Sequence, residues 1–123
     1  MDTNTVRGTI LFGHGSRDPL WRQPIEAVAS QIRQMAPEVH VRCAYLELTE
    51  PDLPATAAEL ATLGVTCITV LPMFLGVGRH ARDDLPLIMA ALQVSHPQVT
   101  FDLRPAIGED GQMIELMARI AIS

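Results

Sequence analysis

Hydrophobic positions along this chain follow two alternating periods. Short apolar runs of strand character give way to stripes at helical spacing, and the pair recurs four times without a linker or low-complexity break. Val6 to Phe12, with Val6, Ile10, Leu11 and Phe12, predicts a first strand ending in the turn-forming run Gly13-His14-Gly15-Ser16-Arg17. A helix follows from about Leu20 or Pro24 to Met35, because Ile25, Val28, Ala29, Ile32 and Met35 share one helical face. Pro37 stops it. Val39 to Leu46 alternates, with Val39, Val41, Cys43 and Tyr45 on one side and His40 and Arg42 on the other, the half-polar pattern of an edge strand. Asp52 reads as an N-cap, with Pro54 in the first turn of a helix that runs to Leu63 and ends at Gly64. Cys67 to Phe74 is almost continuously apolar, as a central parallel strand should be. After Gly76-Val77-Gly78 the pattern turns helical through Leu92, with Leu85, Ile88, Met89 and Leu92 on one face. Val99 to Leu103 gives a fourth strand, and Glu109 to Ala121 a last helix whose Met113, Leu116, Met117 and Ile120 are expected in the core.

Four strand–helix units joined by right-handed crossovers predict an α/β fold, a parallel sheet with helices on both faces. The edge character of the second strand gives the order 2-1-3-4, a flavodoxin-like arrangement in one domain over residues 1–123. Ligands in such sheets bind beyond the carboxyl ends of the strands where the order reverses, here between strands one and three.

Composition narrows the chemistry. The chain has 123 residues, 48% of them apolar and 19% charged, and its nine basic residues are all arginine. Without lysine there is no Walker-type phosphate loop and no Schiff-base chemistry, so no nucleotide is expected to be required. A formal charge of −5 without an arginine cluster argues against nucleic acid. No apolar run is long enough to span a membrane, and Met1-Asp2-Thr3-Asn4-Thr5 has no secretory pattern, so a cytoplasmic protein is expected. Cys43 and Cys67 lie far apart in apolar segments and are expected as buried free thiols.

Three metal-capable residues follow successive strands. His14 follows strand one, Glu47 strand two and His80 strand three, each 33 residues from the last. The topology therefore delivers an imidazole, a carboxylate and an imidazole to one edge of the sheet, a donor set suited to Co²⁺, Fe²⁺, Ni²⁺ or Zn²⁺. Gly13 and Gly15 flank the first histidine, Gly76 and Gly78 precede the second, and both let backbone turn close to a bulky ligand. Singly, each of these residues reads as an ordinary loop or cap residue; the argument rests on their joint placement. His40 and His96 read as surface residues. Gly76-x-Gly78-x-x-Ala81, with Asp102 further on, matches a dinucleotide-binding pattern, but Asp102 falls inside a strand. His14-Gly15 lacks the preceding arginine of histidine phosphatases, and Ser16 is not in a nucleophile elbow.

Taken together, several blocks resemble the short class II chelatases of the CbiX/SirB type. They are Ile10-Leu11-Phe12-Gly13-His14-Gly15-Ser16-Arg17-Asp18-Pro19, Ala44-Tyr45-Leu46-Glu47 with Pro51, Pro72-Met73-Phe74-Leu75-Gly76-x-Gly78-x-His80 with Asp83-Asp84-Leu85-Pro86, and Pro105-Ala106-Ile107-Gly108. They cover essentially the whole chain in order. The resemblance implies ATP-independent insertion of a divalent metal, cobalt first with iron and nickel open, into sirohydrochlorin. The metal is then a substrate, and no cofactor is obligatory. By the same resemblance His14 and His80 contact the metal, with Glu47 as the acidic partner and either imidazole able to accept a pyrrole proton. The Gly-rich loops (Gly13, Gly15, Ser16, Arg17, Gly76, Gly78, Arg79) would hold the macrocycle. Arg17 and Arg79, with Arg22 and Arg82 nearby, suit its carboxylates. The single lobe resembles the small form that works as a homodimer. A carrier of metal or tetrapyrrole without turnover is the alternative, and a dinucleotide-binding oxidoreductase a weaker one.

Overall fold

The computed structural model describes residues 5–123; Met1 to Asn4, where no secretory pattern was read, lie outside them. The chain builds β1 (Arg7–Gly13), α1 (Gln23–Met35), β2 (His40–Tyr45), α2 (Leu53–Thr62), β3 (Cys67–Pro72), α3 (Arg79–Ser95), β4 (Thr100–Leu103) and α4 (Gly111–Ile122). All pairings are parallel and the order is β2-β1-β3-β4, so β2 is an edge as its pattern predicts.

Element ends differ from the sequence reading for local reasons. β1 reaches Gly13 because that residue pairs with Tyr45. The segment before α1 is a separate 3-10 turn, Pro19–Arg22, capped by Asp18, whose carboxylate accepts from Leu20 N–H at 2.9 Å. β3 stops at Pro72, two residues short of the predicted end, since proline offers no N–H to a ladder. α3 runs one turn past Leu92 and ends before the His96-Pro97 step. Asp110, not Glu109, starts α4, accepting from the N–H groups of Gln112 and Met113 at 2.8 and 3.3 Å. Asp52 caps α2 as expected, accepting from Ala55 N–H at 2.9 Å.

The sheet separates two apolar layers. Ile10, Phe12, Ala44, Ile68 and Val70 pack against Leu53, Ala57 and Leu60 of α2 and Ala81, Leu85 and Leu92 of α3. On the opposite face Leu11, Val41 and Tyr45 pack against Ile25 and Ala29 of α1. The second side of β2 is less polar than its sequence suggests: Ala44 is buried there and Arg42 pairs with Glu59 of α2.

Three expectations need correction. Cys43 and Cys67 are free but half-buried, because both lie on the sparsely covered α1 side of the sheet. His40 and His96 are half-buried, His96 closing α3 with its ring 6.3 Å from that of Phe101. Most notably, α4 does not enter the core. It contributes to neither apolar layer, and Leu116 and Ile120 are 49% and 64% exposed. Its principal contact is the short Ile107–Glu109 turn from which it grows.

Candidate active site

The loops after β1 and β2 form one backbone unit. Leu46 N–H donates to the Gly13 carbonyl at 2.9 Å and Glu47 N–H to the His14 carbonyl at 3.0 Å, extending the β1–β2 ladder beyond the sheet. Gly15 makes this approach possible. Its φ is +100°, and a Cβ there would stand 1.7 Å from the Glu47 carbonyl oxygen, so no side chain fits. The Glu47 loop then curls back: Thr49 N–H donates to the Glu47 carbonyl at 2.8 Å, with Leu48 in the left-handed region at φ 67°.

The loop after β3 is fastened from both sides. Met73 N–H reaches the Phe12 carbonyl at 2.7 Å, and Gly108 N–H reaches the Phe74 carbonyl at 2.9 Å. A Cβ on Gly108 would lie 2.0 Å from the Leu75 carbonyl oxygen, so this contact also requires glycine. The fastened loop places the buried Phe74 ring against His14: the two rings stack with centroids 4.0 Å apart and planes 24° from parallel. His14 is thus exposed to solvent on one face and held by an aromatic surface on the other.

His14 and Glu47 share a cavity of about 470 Å³ at the carboxyl edge of the sheet, lined also by Leu46, Gly78, Arg79 and Asp84. Its far wall is the first turn of α3, which contains His80 between Arg79 and Ala81, so His80 belongs to a helix rather than to the loop its glycines suggest. Two carboxylates face one guanidinium across this space, a balance that favours a divalent cation. Gly78 caps α3 without a side-chain hydrogen bond, leaving the first N–H groups of the helix open to an anion. Neither Gly76 nor Gly78 has any atom within 4 Å of where a Cβ would be, so their small size serves open space rather than internal packing.

The remaining residues divide. Gly13 is buried and turns its bare side toward Trp21 and Ile25 of the α1 layer, away from the cavity. Ser16 accepts from Asp18 N–H at 3.1 Å and shapes the turn before α1, while Arg17 is exposed. Arg22 pairs with Glu26 at 3.0 Å. Arg82 lines a second cavity of about 460 Å³ with Val77, Leu85, Leu103 and Arg104. Asp102 sits within β4 beside Arg104, not at a strand end where a ribose would be met. Among the described residues, no three His, Cys, Asp or Glu side chains already form a cage for an ion.

Phe74, Leu46 and Asp84 are site residues the sequence reading assigned elsewhere or passed over. Phe74 looked like the end of a core strand, and only the fold turns its ring toward His14. Asp84, four residues after His80, was open to detection as the next position along that helix face. Beneath the site, Tyr45 is buried with no hydrogen-bond partner for its hydroxyl. Burial, with smaller contributions from Cys43 and Glu26, pushes its phenol up to about 12. Burial likewise raises the Cys43 thiol.

The model of the CbiX family matches residues 8–122. A 93-residue stretch is 37% identical to sirohydrochlorin cobaltochelatase of Methanothermobacter thermautotrophicus, covering 72% of this chain and 64% of the relative. The enzyme of the same name from Methanopyrus kandleri is 36% identical over 80 residues, 65% of this chain and 56% of the relative. The chain therefore spans less than two thirds of these relatives. Among solved structures, a Marinobacter aquaeolei VT8 protein described as CbiX of cobalamin biosynthesis superposes with a TM-score of 0.79 at 31% identity, over 94% of this chain and 93% of that one. The sirohydrochlorin chelatase SirB from Bacillus subtilis subspecies spizizenii, in complex with cobalt, gives 0.75 at 26% identity, covering 94% of this chain and 50% of SirB.

Proposed function

Because the chain belongs to the CbiX family, we propose that it inserts a divalent metal, cobalt first, into sirohydrochlorin, as its relatives' names describe for them. The observation that carries this reading is the shared cavity of His14 and Glu47, whose loops are bound to each other through the gap that only Gly15 leaves. Neutral imidazole and carboxylate suit a borderline divalent ion as substrate, and imidazole can also take a pyrrole proton as the metal enters. In this mechanism His14 and His80 handle the metal and accept protons, and Glu47 orients the ion or relays the proton. Stacking on Phe74 fixes the plane of His14, so its ring nitrogens keep their direction between turnovers. Gly76 and Gly78 leave room for a flat macrocycle. Arg79 and the open N–H groups of α3 would meet its carboxylates, helped by Arg82 and Arg104 in the neighbouring cavity.

One lobe offers a single wall to a macrocycle, and this chain matches half of SirB. A homodimer, in which a second copy supplies the opposite wall, completes the proposal. The decisive experiment follows the absorption change of sirohydrochlorin with Co²⁺, Fe²⁺ or Ni²⁺, with and without protein and without nucleotide. Acceleration over the uncatalysed rate is expected. Tight binding with an unaltered rate would make the protein a carrier and end the enzymatic reading.

A further inference from the structure

We infer that a carboxylate-bearing arm of the macrocycle seats in the second cavity, on Arg82 and Arg104, and so fixes which way the ring lies across the metal-handling cavity. The inference rests on the tetrapyrrole reading proposed above and deepens it, naming residues that orient the ring rather than handle the metal.

Three cavities follow one another along the carboxyl edge of the sheet. The one that holds His14 and Glu47 shares Leu46 and Glu47 with a cavity of about 550 Å³ at the end of β2. It shares Ala81 with the cavity of about 460 Å³ that Arg82 and Arg104 line. The two neighbours differ in the sign of their charge. The cavity beside β2 has Glu47, Glu50 and Asp52 in its wall and no arginine. The cavity beyond α3 and β4 has two guanidiniums against one carboxylate, that of Glu109. On a chain of net charge −5 this is a local reversal. A densely carboxylated ring centred on the first cavity is therefore repelled toward β2 and attracted toward β4.

The second cavity also has the chemistry of an acetate or propionate arm rather than of an inorganic anion. Val77, Leu85 and Leu103 give it apolar walls that match the arm's methylene carbons, and an arginine fork matches the carboxylate at its end. The two arginines come from separate elements with fixed backbones. Arg82 N–H donates to the Gly78 carbonyl at 3.0 Å in the first turn of α3, and Arg104 N–H donates to the Val70 carbonyl at 2.9 Å just after β4. Their guanidiniums stay available. Among the described residues Arg82 forms no ion pair, and the Arg104–Asp102 pair is long, 3.7 Å, with both side chains more than half exposed.

The lack of lysine makes this placement directly testable. In Arg82→Lys and, separately, Arg104→Lys, the chain gains a single lysine amine. A carbodiimide then condenses that amine with a carboxylate of bound, metal-free sirohydrochlorin, forming an amide with loss of water. Peptide mass spectrometry should find the macrocycle at position 82 or 104. It should not find it at position 7 in Arg7→Lys, an exposed site at the amino end of β1. Fluorescence of the metal-free macrocycle reads affinity alongside. Arg82→Gln combined with Arg104→Gln should weaken binding about tenfold or more, and Arg7→Gln should leave it unchanged. Coupling at neither position 82 nor 104, or equally at position 7, in proteins that bind sirohydrochlorin would overturn the placement and leave the tetrapyrrole reading standing. A double variant that binds like the parent would do the same. A parent that binds no sirohydrochlorin would overturn the tetrapyrrole reading, and this inference with it.

Discussion

Gly15→Ala tests the construction of the site more directly than any substitution of its ligands. The added Cβ would lie 1.7 Å from the Glu47 carbonyl oxygen, on a residue whose φ of +100° is unfavourable to any side chain. The conformational part alone costs about 1–2 kcal/mol. Relief requires the Glu47 peptide to retreat, which breaks its bond to the His14 carbonyl and strains the neighbouring Leu46–Gly13 bond. Each such bond contributes about 1 kcal/mol. Together these give a loss of about 3 kcal/mol, and for a chain of this length the melting temperature should fall by about 10 °C. Metal insertion should fall further than stability, because the movement separates Glu47 from His14 at temperatures where the chain is still folded.

Circular dichroism melts and initial insertion rates measured well below the melting point separate the two effects. Gly78→Ala is the matched comparison. Gly78 has an ordinary extended conformation, φ −65° and ψ 162°, with nothing within 4 Å of its missing Cβ. It should melt with the parent yet insert metal more slowly, if the macrocycle lies against the start of α3. A Gly15→Ala protein that melts and turns over like the parent would refute the claim that the close approach of the two loops builds the site.

His14→Ala should abolish insertion while costing only about 1 kcal/mol, the loss of one exposed stack on Phe74, as read by urea unfolding. His80→Ala, in the first turn of α3, should also abolish insertion with cooperative unfolding retained; near-parental turnover in either variant would withdraw its role. Tyr45→Phe should stabilise the protein by about 1 kcal/mol, since the hydroxyl is buried without a partner. The phenol is raised from 10.0 to about 12, so the native state holds that proton more tightly than the unfolded chain. Its contribution is therefore complete below pH 10 and lost as pH rises through about 12. With one tyrosine and no lysine in the chain, phenolate absorbance reports this group alone, and a midpoint at 10 would contradict the burial.

The elements and their order were legible in the sequence because each strand–helix unit carries its own period and its own stop signal. Asp52, Gly64 and Pro37 act locally, through a cap, a positive φ and a blocked helix, so reading them needs no knowledge of the fold. Topology alone puts the loop after β1, the loop after β2 and the start of α3 at one edge, which is how His14 and Glu47 come to share a cavity beside the first turn of α3. What could not be read depends on contacts between loops distant in sequence. Gly15 and Gly108 look like other loop glycines until the Glu47 and Leu75 carbonyls are seen to occupy the space beside them.

Phe74 shows the same limit at a side chain. Its apolar neighbours mark it as core, and it is buried, yet its ring also stacks on the exposed His14 imidazole. α4 shows the converse. Its stripe of Met113, Leu116, Met117 and Ile120 correctly announces a helix with an apolar side, but periodicity says nothing about whether that side is covered. A sequence records an apolar face in the same letters whether or not the folded lobe covers it. Burial in the folded chain is therefore the observation that divides the two, and it moves α4 from the core of this lobe to its surface.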